Sequence, residues 1–271
     1  MNLFKRKTKS ETSIEEILLI TRSFHSSLLT LPVELVYQIL DHLQVLDIFI
    51  SMRNVCQRIN AIVDTYHRYK IIKEFNLSHC TLSPNGIQKL SNALQYNTTL
   101  TALTINYKQI DGKDAQYLAR ALYRETALTT LNLYNNEIGD HGAEFFAITL
   151  QHNEKLTTLN LSSNLITSKG IKYIADALKR NKTLITLDLS VNTINSKGAE
   201  YLADALKHNQ NLLTLDLSLN RIGHEGAQDL ADALKYNTTL TLLNIKYNGL
   251  ESIGASYFEC EIIKNPLRVR F

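Results

Sequence analysis

Apolar residues recur with a fixed step along most of the chain. Ile72, Leu100, Leu128, Leu156, Leu184, Leu212 and Leu240 each stand 28 residues after the last. Behind each leader the template Leu-x-x-Leu-x-Leu-x-x-Asn-x-Ile repeats. Leu128, Leu131, Leu133, Asn136 and Ile138 fill it in the third unit, and Leu156, Leu159, Leu161, Asn164 and Ile166 in the fourth. The first unit is degenerate, with Phe75, Leu77, Cys80 and Leu82 in the same slots, and the second has Lys108 where Asn is expected. Alternation around the paired leucines predicts a short strand with one buried face. The pattern then changes period. After Gly142, Gly170, Gly198 and Gly226 come sets such as Ala199, Leu202, Ala203 and Leu206, at i, i+3, i+4 and i+7. That spacing predicts a helix with one apolar face, leaving Asp204 and Lys207 outward. Asn153, Asn181, Asn209 and Asn237 stand just after the helices, where Asn tolerates the left-handed cap conformation.

A self-similarity of this length marks a repeat architecture, and the template resembles the leucine-rich repeat. One strand and one full helix per unit resemble the ribonuclease-inhibitor subtype. The fold class that follows is α/β: a horseshoe solenoid with parallel strands inside and helices outside, preceded by a small all-α module. The Asn ladder (Asn136, Asn164, Asn192, Asn220, Asn248) reads as structural, because a buried amide must be satisfied and can bond backbone groups between units. Residues 72–271 read as seven repeats. Arg268, Val269 and Arg270 sit where an eighth, edge strand would begin, with Phe271 in the slot of Leu243. Either that strand closes the array or the array continues.

Residues 1–27 read as a basic, disordered tail followed by a short helix that Thr12 or Ser13 can cap. Lys5-Arg6-Lys7 is either a solvated end or a nuclear-localisation signal. Residues 28–71 read as three short helices, too small to bury much surface without a neighbour or partner. Leu31-Pro32-x-Glu34-Leu35, Ile39-Leu40-x-x-Leu43, Leu46-x-Ile48 and Val55-Cys56-x-Arg58 follow one another. In order and spacing they resemble an F-box, with Ile59 where that family often carries Trp. The resemblance implies docking on a Skp-type adaptor, which joins a cullin-RING ubiquitin ligase. Leu31, Pro32, Leu35, Ile39, Leu40, Leu43 and Val55 are the implied adaptor contacts. A second reading makes these helices only a cap on the open end of the solenoid. The chain would then be a non-ligase scaffold or sensing protein.

On a horseshoe the non-leucine strand positions face the concave side. In the middle units they are small, polar and slightly acidic, with larger groups toward the ends. Hot spots favour Tyr and Arg, so Tyr107, Tyr134, Lys246 and Tyr247, with Asp188 and Asp216, are the expected contacts for a protein substrate. Enzyme chemistry is not expected. Eight His are scattered, and no metalloprotease, phosphate-loop, nucleophile-elbow or dinucleotide motif occurs. No cofactor or metal is called for, since Cys56, Cys80 and Cys260 are isolated. The net charge of +3 is dispersed, which argues against a nucleic-acid face. No apolar run is long enough to span a membrane, and Ile17–Ile20 is too short for a signal core. A cytoplasmic or nuclear location is expected.

Overall fold

The computed structural model describes residues 73–78, 85–95, 97–123, 127–250 and 257, with the backbone of 268–270. The chain divides into two units between Ile71 and Ile72. The helices expected before residue 72, and the one expected to run through Cys260, lie outside the described residues.

Within the second unit the elements alternate as the periodicity requires. Strand β1 (Glu74–Asn76) is followed by α1 (Gly86–Leu94), then β2 (Ala102–Thr104) and α2 (Gly112–Leu122). Next come β3 (Thr130–Asn132), α3 (Gly139–His152), β4 (Thr158–Asn160) and α4 (Ser168–Leu178). The array continues with β5 (Thr186–Asp188), α5 (Ser196–His208), β6 (Thr214–Asp216) and α6 (Gly223–Leu234), and ends with β7 (Leu242–Asn244) and β8 (Arg268–Arg270). The eight strands form one parallel sheet in chain order. Their register is the repeat itself: Thr130 lies opposite Thr158, and Leu159 opposite Leu187. The last step differs. Val269 lies opposite Leu243, where the 28-residue spacing expects Phe271, so the seventh unit is two residues short.

Leu103, Leu131, Leu159, Leu187, Leu215 and Leu243 form a buried row behind the sheet. Each such leucine contributes roughly 1.5–3 kcal/mol by leaving water. The helices close the other side with Ala199, Leu202, Ala203 and Leu206, all buried. Packed helices stand about 8–10 Å apart, whereas paired strands stand about 4.8 Å apart. The stack therefore curves, with the sheet on the concave side.

Three features depart from the pattern-based expectation. The recurring glycines do not precede the helices but lie in their first turn, where close approach requires them. A Cβ on Gly226 would stand 2.7 Å from the Ala199 Cβ and 3.0 Å from the Ser196 Cα. Next, Asn153 and Asn209 are extended and not left-handed, with φ of −78° and −82°. Their work is done by the buried side chain. Asn153 Nδ2 donates to Leu122 O at 2.6 Å, and its Oδ1 accepts from Leu156 N at 2.7 Å. Asn181, Asn209 and Asn237 repeat this link to the preceding unit. Third, the left-handed residues instead follow the strands: Tyr107, Asn135, Ser163, Val191, Leu219 and Tyr247 all have positive φ, between 54° and 59°.

The ladder from Asn136 to Asn248 bonds as expected. Asn192 Nδ2 donates to Leu161 O and Leu189 O, while its Oδ1 accepts from Asn164 N and Ile166 N. Polar side chains also tie successive helix starts together. The Asp140 carboxylate accepts from Thr167 N, Thr167 Oγ1 and Gly170 N at 2.7–2.9 Å, anchoring the start of α4 to α3.

Candidate partner-binding face

The sheet presents every second side chain to the concave side, because successive strand residues alternate faces. Each strand is half-exposed, buried, half-exposed from β2 to β7. Side chains such as Thr186 and Asp188 therefore stand on the open face.

The six expected contact residues form three separate groups. Tyr107 and Tyr134, one unit apart, meet edge to face, with ring centroids 5.3 Å apart and an interplanar angle of 87°. A side-chain hydrogen bond with Tyr134 raises the Tyr107 phenol above its ordinary pKa. Asp188 and Asp216 are register partners on β5 and β6. Each accepts from the serine two residues on, Ser190 Oγ at 2.7 Å and Ser218 Oγ at 2.6 Å. Asp216 Oδ2 also accepts from Asn244 Nδ2 at 2.7 Å. Burial is the main cause that pushes the Asp188 carboxyl up, and the charge of Asp216 adds to it, against the lowering effect of the Ser190 bonds. Lys246 and Tyr247 stand exposed after β7, with Tyr247 at 75%. The fourth unit lies between the tyrosine pair and the aspartates, so the six do not converge on one point. The adaptor contacts Leu31, Pro32, Leu35, Ile39, Leu40, Leu43 and Val55 lie outside the described residues.

Pattern reading missed the left-handed row. Val191 and Leu219 are exposed there, at 42% and 50%. A bulky L-residue costs roughly 1–2 kcal/mol in this conformation, and a β-branched one is an outlier. The available signal was the contrast with Asn135, which suits the same position in the third unit.

The helical side carries a groove of about 460 Å³ lined by residues that include Lys172, Lys179, Asp204 and Asp229. Lys179 bridges Asp176 and Asp204 across it at 3.0 and 2.7 Å. These are exposed pairs whose worth is small. Among the described residues no group of three or more His, Cys, Asp or Glu is placed to hold a metal ion, and no helix is long and apolar enough to cross a membrane.

An F-box domain model matches residues 28–71. A TMOD/LMOD leucine-rich domain model matches 104–194, and a leucine-rich-repeat model matches 72–91, 208–231 and 236–258. The chain is an F-box and leucine-rich-repeat protein. Among solved structures, this F-box/leucine-rich-repeat chain is similar to leiomodin-1 actin-binding site 2, at 24% identity and a TM-score of 0.47. That match covers 56% of this chain and 90% of the other. It is also similar to a Caenorhabditis elegans tropomodulin C-terminal domain, at 12% identity and a TM-score of 0.42, covering 66% and 94%. No curated protein matches it. Both kinds of domain are typically non-catalytic, and together they support a protein-interaction role for the F-box/leucine-rich-repeat chain.

Proposed function

We propose that the chain is the substrate-recruiting subunit of a Skp-cullin-F-box ubiquitin ligase. The observation that carries the reading is the F-box match at 28–71 directly preceding a leucine-rich-repeat array. The F-box engages a Skp-type adaptor through Leu31, Pro32, Leu35, Ile39, Leu40, Leu43 and Val55. The adaptor joins the cullin, and the array holds a protein substrate on its concave face. The chain performs no chemistry; it raises the local concentration of substrate beside the transferring enzyme. The composition supports this division. The apolar residues of 28–71 suit an interface, and a sheet face of polar and aromatic side chains suits a protein surface.

Co-purification with a Skp-type adaptor tests the reading. The parent chain is compared with Leu31→Ala/Pro32→Ala and Ile39→Asp, each checked for folding by circular dichroism. Stoichiometric capture by the parent, lost in folded variants, is expected. A folded parent that captures no adaptor overturns the ligase role and leaves residues 28–71 as a cap on a binding scaffold.

A further inference from the structure

The concave strip and the two rows that flank it are not uniform along the array. A leading row is formed by the residue just before each strand. In the second to fourth units this is Thr101, Thr129 and Thr157; in the fifth and sixth it is Ile185 and Leu213. The left-handed residue after each strand forms a trailing row. It changes from Tyr107, Asn135 and Ser163 to Val191 and Leu219. The central strip changes in the same two units, from Asn132 and Asn160 to Asp188 and Asp216.

The fold does not ask for these changes. Thr129 Oγ1 and Thr157 Oγ1 each donate at 3.1 Å to a carbonyl in the preceding unit; Ile185 and Leu213 give that bond up. Asn suits the left-handed position better than Val or Leu. In the strip, Asn160 accepts the same two serine bonds that Asp188 accepts. Asp188 and Asp216 stand side by side, and among the described residues no ion pair involves either. Leu213, Val191 and Leu219 remain exposed at 38–50%, and exposed apolar patches rimmed by polar groups mark interaction sites.

We propose that the concave face of the fifth and sixth units docks a short protein segment carrying a lysine or arginine between two apolar side chains. The cation lies over Asp188 and Asp216 and relieves their mutual repulsion. One apolar side chain packs on Ile185 and Leu213, the other on Val191 and Leu219. Each row is three residues from the aspartates, about 10 Å at most for extended chain, so two or three residues separate the cation from each apolar anchor. This rests on the concave-face half of the reading above and is independent of the adaptor half.

Selection of random 12-residue peptides on the full chain tests it, followed by affinities of labelled selected peptides. The variants use residues the array already carries at equivalent positions, so the fold tolerates them: Asp188→Asn/Asp216→Asn and Val191→Asn/Leu219→Asn. The parent is expected to enrich peptides with a basic residue flanked by apolar ones. The first pair is expected to weaken binding about tenfold or more and to abolish its salt dependence. The second pair is expected to weaken it about tenfold, with salt dependence kept. Peptides lacking a basic residue, affinities indifferent to both pairs, or no enrichment at all overturn the proposal. Adaptor capture, measured on the same preparations, reports on the ligase role alone. Its failure leaves the peptide result standing, and the reverse also holds.

Discussion

At the scale of single residues, the buried asparagines and one aspartate make opposite contributions. Asn192 satisfies backbone groups of two units at once. Its replacement by alanine leaves Asn164 N, Ile166 N and Leu161 O without that partner, while Leu189 O keeps its bond from Asn220 Nδ2; each unsatisfied group costs about 1–3 kcal/mol, less whatever water recovers. Asn192→Ala is expected to lose about 3 kcal/mol or more, read as a lower urea midpoint. Asp188 works the other way. Burial, with the charge of Asp216, holds its carboxyl above the ordinary aspartate value. A raised folded value means that ionisation is harder in the folded than in the unfolded chain. The stability tied to the neutral carboxyl is full below the unfolded value and lost as pH rises through the folded one. Asp188→Asn is therefore expected to raise the thermal midpoint at pH 7. Its advantage over the parent should vanish by about pH 3, below the ordinary aspartate range. An advantage independent of pH would rule out the carboxylate as its source.

Among elements, the helix-to-helix spacing decides what the array tolerates. Gly226 lies in the first turn of α6, against Ala199 of α5 and the backbone of Ser196. A methyl group there cannot be absorbed by a flexible side-chain end. Gly226→Ala improves helix propensity by about 1 kcal/mol, yet overpacking costs about 1–3 kcal/mol. Net destabilisation in urea unfolding is expected. Net stabilisation would mean that α5 and α6 move apart freely. The helix N-termini use different devices at this same junction. Asn195 caps α5 with its side chain, whereas Ile222 offers α6 no side-chain cap and Gly223 takes the left-handed turn.

At the scale of the whole array, packing among the described residues runs mainly between adjacent units, so stability is close to a sum of unit and interface contributions. Among the described strands, those in the middle pair on both sides, whereas β1 and β8 pair on one. Hydrogen exchange is expected to be slowest in the amides of β4, β5 and β6, and faster in β1 and β2. Uniform protection across the sheet would show that the array opens only as one block.

The sequence by itself determined the repeat length, the strand-then-helix order, the buried leucine row and the structural use of the Asn136–Asn248 ladder. All of these follow from periodicity within a window of a few residues, where side-chain direction is set by local geometry. It also placed Asp188 and Asp216 on the open face, since alternation alone puts them there. The tertiary structure decided what depends on groups 26–31 residues away. Asn153 proved an extended, buried link, because its amide finds the Leu122 carbonyl of the previous unit. The glycines proved to be contact points, because an adjacent helix arrives there. The last strand paired at Val269 because its unit is two residues shorter. Val191 and Leu219 took the left-handed turn in the open because the strands must leave the sheet at that point. No local pattern distinguishes an apolar residue held there from one that belongs in the core. Only the packed neighbours, by covering Leu187 and Leu189 before Val191 and Leu215 and Leu217 before Leu219, make these two stand out.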